Sequence, residues 1–130
     1  YGHHPEEIEQ VIFSLSKHFK KKRILMIFQP HRFSRTKILF KDFISTLSKV
    51  DKLFLLPIYS ASEKEIKGIS SKNLAQKLNK INGKNFCYLA NHENVNDMVE
   101  KHIDKYDLVI TQGAGNVSMV SKGLKEKWIK

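Results

Sequence analysis

The sequence contains one cysteine, Cys87, so no disulfide can close within the chain, and a reducing cytoplasmic setting suits it. Cys87 lies in the apolar run Phe86-Cys87-Tyr88-Leu89, which reads as a small buried core residue and not as a catalytic thiol. No apolar stretch approaches the ~20 residues that span a bilayer, so no membrane partner is expected. The opening Tyr1-Gly2-His3-His4-Pro5 lacks the basic and then apolar order of a secretion signal. An initiator methionine is also missing, which is read as the start of a piece cut or processed from a longer chain. No linker, repeat or low-complexity segment interrupts the 130 residues, a length that fits one compact domain.

Arginine is scarce as well. Arg23, Arg32 and Arg35 are the only ones, and two of the three fall in one short segment. The net charge of +10 comes mainly from lysines scattered along the whole chain. A basic nucleic-acid-binding module is one reading of that charge. Solvated lysine faces are the favoured one, because no RNA-binding motif with interleaved aromatics is present. The one cluster, Lys20-Lys21-Lys22-Arg23, sits where a helix ends and cations suit its dipole. No nucleic-acid partner is therefore expected.

Hydrophobic residues make up 41% of the chain, enough for one core, and their spacing alternates between two periods. Ile8, Val11, Ile12, Leu15 and Phe19 recur at helical spacing behind Pro5, Glu6 and Glu7, a good helix start. Ile24-Leu25-Met26-Ile27-Phe28 is a solid apolar run, the pattern of a strand buried on both faces. Gln29 to Arg35 reads as a loop, and Leu39, Phe40, Phe43, Ile44 and Leu47 restore helical spacing. Leu53-Phe54-Leu55-Leu56 is a second strand, ended by Pro57, and residues 58–70 form a long loop. Leu74, Ala75, Leu78 and Ile81 mark a helix stopped at Asn82-Gly83. A third strand covers residues 86–89. Val95, Met98, Val99 and His102 mark another helix, and Leu108-Val109-Ile110 a fourth strand. After a turn at residues 113–116, Val117, Val120, Leu124 and Trp128 face inward from a last helix. Strands that alternate with helices and are each a solid apolar run specify an α/β fold: a three-layer, Rossmann-like domain with a mainly parallel sheet. In such sheets ligands bind beyond the carboxyl ends of the strands.

Two loops at that edge carry chemistry. The loop after Phe28 holds His31, Arg32 and Arg35. Two arginines three apart share one side if a helix begins there, and two planar guanidinium groups can clamp a carboxylate or phosphate. A solvated basic turn is the plainer reading. Cations at a helix start oppose its dipole unless an anion is present, which favours the functional one. The loop after Ile110 holds Gly113-Ala114-Gly115-Asn116. It lacks the Lys-Ser/Thr of a phosphate loop, and Ser118 stands where a dinucleotide fingerprint needs glycine. A tight turn with Asn116 as helix cap is the plain reading, although exposed amides there suit an anionic group. His3 and His4 form a pair, but adjacent side chains diverge and no further ligand follows at a metal-site spacing. One in a site and one structural is the expectation, with no metal. His18, His92 and His102 fall on helices as surface or boundary residues.

Three phrases in order, Tyr1-Gly2-His3-His4-Pro5, Phe28-Gln29-Pro30-His31-Arg32-Phe33-Ser34-Arg35-Thr36 and Thr111-Gln112-Gly113-Ala114-Gly115-Asn116, resemble the third, carboxy-terminal domain of the Mur ligases. The likeness is to the branch that joins L-alanine to UDP-N-acetylmuramic acid, and runs from Tyr1 to about Lys122. It implies that residues 1–130 are the amino-acid-binding domain of a longer three-domain, ATP-dependent, cytoplasmic ligase of cell-wall synthesis. There the first domain holds the UDP-sugar and the central one carries ATP and Mg2+. ATP phosphorylates the muramoyl carboxylate, and the alanine amine then displaces phosphate. By the same resemblance His31, Arg32 and Arg35 bind the alanine carboxylate and His3 lines the alanine pocket. Tyr1 packs on the nucleotide side, and Gly113, Ala114, Gly115 and Asn116 border the cleft. The phosphate loop and the acidic residues that the family places just before Tyr1 are absent. This chain alone is therefore expected to bind no ATP or Mg2+ productively and to be inactive. A related ligase that attaches a tripeptide to the same sugar shares the His-His-Pro phrase but not His-Arg-x-x-Arg, and is the alternative.

Overall fold

The computed structural model describes residues 4–18 and 23–113. In chain order these form α1 (Pro5–His18), β1 (Ile24–Gln29), α2 (Phe33–Ile38), α3 (Phe40–Leu47), β2 (Lys52–Leu55), α4 (Ser71–Asn82), β3 (Cys87–Leu89), α5 (Val95–Glu100), a single 3-10 turn at Ile103–Lys105, and β4 (Leu108–Gly113). The four strands form one parallel sheet in the order β3-β2-β1-β4. The expected α/β class and parallel sheet are thus observed. The predicted last helix and Lys20 to Lys22 lie outside the described residues.

The solid apolar runs explain the layers. Every residue of β1 is buried, because alternate side chains enter different cores. Ile24, Met26 and Phe28 join Leu53 and Leu55 under α1, α3 and α4. Leu25 and Ile27 join Phe54 and Leu56 under α5, through Val95 and Val99. Right-handed crossovers account for this split. The chain steps from β1 to β2 to β3 in one direction, which keeps α3 and α4 on one face. It then returns past β1 to β4, which puts α5 on the other.

That reversal creates a topological switch point between β1 and β4, the place where doubly wound sheets open a crevice at the strands' carboxyl ends. The strands pair from Ile24↔Leu108 to Gln29↔Gly113. β4 is therefore longer than its apolar run suggests, since Thr111, Gln112 and Gly113 continue the ladder as strand and not as turn. Gly113 has φ 123°, and a Cβ there would lie 2.3 Å from the Gln29 carbonyl oxygen. The two backbones can meet at the crevice only without a side chain.

α4 has recognisable ends. The Ser70 side chain accepts from the Asn73 amide, and Gly83 closes the helix at φ 107°. Asn79 then holds the edge strand: its Nδ2 donates to the Cys87 carbonyl and its Oδ1 accepts from the Cys87 amide. The predicted helix around residues 39–47 starts earlier than its apolar spacing shows and is interrupted at Leu39, giving α2 and α3. α5 ends at Glu100, short of His102.

Replacing Gly113 by alanine should destabilise the fold by roughly 2–5 kcal/mol, combining left-handed backbone strain with overpacking. Gly68 has φ 83° but nothing within 4 Å of its missing Cβ. The same change at Gly68 should cost only roughly 1–2 kcal/mol, the backbone part alone. Urea unfolding of both variants tests the difference; equal losses would mean that the Gln29 approach is not a constraint.

Candidate functional site

β1 delivers its chemistry at the switch point. Gln29, the one polar residue of the strand, is buried and donates from Nε2 to the Pro57 carbonyl at 3.1 Å, tying the end of β1 to the chain leaving β2. Its Oε1 is buried with no hydrogen-bond partner among the described residues. Beyond it, residues 30–32 and 56–59 lie side by side. The Leu56 amide donates to the Phe28 carbonyl, the Tyr59 amide to the Pro30 carbonyl, and the Arg32 amide to the Tyr59 carbonyl at 2.7 Å. His31 and Tyr59 form a parallel bridge, and their rings stack at 5.8 Å and 12°.

This ladder presents the predicted cluster. His31 and Arg35 are half-buried and Arg32 is exposed. One turn of α2 carries Arg35 back over His31, with Arg35 Nη1 3.4 Å from His31 Nδ1. A guanidinium can only donate, so in this contact Nδ1 faces it as the acceptor. Arg32 is the residue before the helix, at φ 69° and ψ 143°, a region that side chains rarely occupy. Among the described residues no carboxylate lies within ion-pairing distance of either guanidinium. The segment therefore carries two cations beside an imidazole, which suits a planar anion such as a carboxylate.

Sequence reasoning missed Glu63. A cationic helix start wants an anion, and one is supplied from within the chain. Glu63 Oε1 accepts from the Ser34 amide at 3.0 Å, and Oε2 accepts from the Ser34 hydroxyl. The Ser34 bonds, and more weakly the Arg32 charge, hold the Glu63 carboxyl below the usual carboxylate range. No local signal marks this cap, because 29 residues separate the partners. For the same reason the segment expected as loop through Arg35 is helical from Phe33. The long loop at 58–70 is found as expected, but its first half is strapped to the cluster.

A cleft of about 320 Å³ opens next to these groups at the carboxyl ends of β2 and β3. Phe33, Leu55, Pro57, Ile58, Leu89 and Ala90 give it apolar walls, and Lys72 and Glu65 also line it.

Other predicted positions fall elsewhere. Tyr1, His3, Ala114, Gly115 and Asn116 lie outside the described residues, and Gly113 closes β4 beside Gln29. His4 Nδ1 accepts from the Glu6 amide at the start of α1. His102 packs its ring against Phe54 and Tyr88, and burial followed by the Lys52 charge lowers its pKa. Burial pushes the Cys87 thiol up to about 12. Among the described residues no three of His, Cys, Asp and Glu stand together as a metal cage. No described helix is long and apolar enough to cross a membrane.

Residues 1–115 match the family model for the Mur ligase, glutamate ligase domain. A UDP-N-acetylmuramate-alanine ligase from Thermotoga maritima is similar in structure over 98% of this chain and 25% of its own, with 22% identity and a TM-score of 0.69. A domain assigned to a UDP-N-acetylmuramate:L-alanyl-gamma-D-glutamyl-meso-diaminopimelate ligase of Haemophilus ducreyi matches over 98% of this chain and 85% of its own, at 15% identity and a TM-score of 0.58. At these identities the structural likeness speaks for the fold.

Cys87 should resist a thiol-directed reagent at pH 8 and react only after denaturant is added, because a thiol pushed to about 12 holds almost no thiolate there. Rapid labelling of the native protein would contradict the core assignment.

Proposed function

The chain belongs to the Mur ligase family, and from that premise we propose that it is the amino-acid-binding domain of the ligase that joins L-alanine to UDP-N-acetylmuramic acid. The family consists of ATP-dependent ligases of peptidoglycan synthesis. The observation that supports the finer reading is the placing of His31, Arg32 and Arg35 on one short segment beyond the carboxyl end of β1, beside the switch point, with Arg35 against His31.

In this reading the two guanidinium groups grip the carboxylate of the incoming amino acid. Arginine suits the task because its fork matches a carboxylate and its charge persists at any physiological pH. Gripping the carboxylate fixes the α-amine in space, and orientation of that kind is a large part of what such a site contributes. His31 stands against Arg35 and helps to orient it. His3 lines the amino-acid pocket, Tyr1 packs on the nucleotide side, and Gly113 to Asn116 border the cleft. The chain spans 25% of the length of the Thermotoga ligase. UDP-sugar, ATP and Mg2+ are assigned to the remaining domains of a three-domain, cytoplasmic enzyme, and this chain alone is inactive.

The tripeptide-adding ligase is the second reading, motivated by the Haemophilus ducreyi match. The His-Arg-x-x-Arg phrase favours the alanine branch. Assays of the full-length enzyme with L-alanine and with the tripeptide separate the two.

In that enzyme Arg32→Ala or Arg35→Ala should raise the alanine KM by roughly 10–100-fold, the worth of a charge-assisted hydrogen bond. The ATP KM should move far less. An unchanged alanine KM would remove the clamp assignment.

A further inference from the structure

We propose that Glu63 is a positioning residue that sets the aim of the carboxylate clamp through Arg32; this rests on the clamp reading above. Four observations carry it. First, backbone strain is concentrated at this contact: the non-glycine residues with positive φ among those described are Arg32 at 69°, Ala61 at 49° and Ser62 at 71°. Arg32 opens the clamp helix, and Ala61 and Ser62 immediately precede Glu63. Such conformations persist only where the surroundings over-determine them.

Second, α2 has six residues, too few to hold helical form unaided. Its start is held from outside by the Glu63 carboxylate on Ser34. Its first carbonyl, that of Arg32, is held by the Thr36 amide at 3.2 Å and the Thr36 hydroxyl at 2.7 Å. The angle between Arg32 and Arg35 is the geometry of this one turn.

Third, both Glu63 oxygens are taken by Ser34. The carboxylate sits near Arg32 without closing an ion pair with it, so the guanidinium keeps its donors for a ligand. Fourth, Glu63 follows the Tyr59 ladder, so the strap that stacks on His31 also delivers the cap. One loop thereby fixes the clamp at both His31 and Ser34.

The test uses the full-length ligase. Glu63→Ala should raise the KM for the amino acid about tenfold, the size expected for losing a hydrogen bond to a charged group. kcat at saturating amino acid and the ATP KM should be nearly unchanged. Glu63→Gln keeps an acceptor for the Ser34 amide and should fall between wild type and Glu63→Ala. In an Arg32→Ala background Glu63→Ala should add less than its full penalty, because much of its effect passes through Arg32. Normal KM in Glu63→Ala, or its full penalty added on top of Arg32→Ala, overturns the proposal. If Arg32→Ala and Arg35→Ala are themselves silent, the clamp reading fails first, and the two failures are told apart. A fall in kcat with KM unchanged would also reject it, since a merely structural cap would lower the amount of active enzyme and leave KM alone.

Discussion

The pairing of β1 with neighbours on both sides is the interaction on which everything else depends. β1 is buried on both faces and hydrogen-bonded along both edges, to β2 and to β4. A strand in that position must be apolar throughout, which is why Ile24 to Phe28 reads as an unbroken run. It also places the reversal of strand order next to β1. The switch point therefore lies beside Gln29, and whatever follows Gln29 in the sequence stands at the carboxyl edge of the sheet. His31, Arg32 and Arg35 follow it. The glycine at 113 is the counterpart on β4, where close contact with the Gln29 backbone excludes a side chain.

The site is built on strain that neighbouring contacts restrain. Arg32 occupies a backbone region costly to a residue with a side chain, and its amide and carbonyl are both pinned. A short helix that would not persist alone is capped by a carboxylate from a distant loop. Loops that carry binding groups commonly need such support, because a misplaced group loses the advantage of orientation. The arrangement also explains how cations tolerate a helix start. The anion that balances the dipole is built in, and its oxygens are engaged by Ser34, so it does not compete for the guanidinium groups.

The opposite end of the sheet has a different character. Lys52 opens β2, donates to the Asn85 carbonyl and lies over the Tyr88 ring at 4.6 Å. Arg23 lies over the Tyr106 ring at 4.7 Å. Asp51 and Asp107 accept from the backbone amides of Ile24 and Arg23, aligning the starts of the strands. Cations there cover aromatic surface, which is a packing role. Part of the +10 charge is accounted for in that way.

Strand runs, most helix periods, the parallel α/β class and the segment carrying His31, Arg32 and Arg35 were all legible in the order of residues. Each depends on near neighbours: alternate burial makes β1 solidly apolar, and helical spacing marks α1 and α4. The buried reading of Cys87 was legible for the same reason. Other features were set by distant partners. Thr111 to Gly113 became strand because β1 offered a ladder. Residues 33–38 became helix because Glu63 reached across to cap them, and α5 stopped short of His102, whose ring packs against Phe54. The residues alone determined which groups are available for binding and on which strand they follow. Only the tertiary structure decided how two arginines and a histidine are aimed, because a helix cap, a strained φ and a backbone approach are contacts between segments that no local pattern encodes.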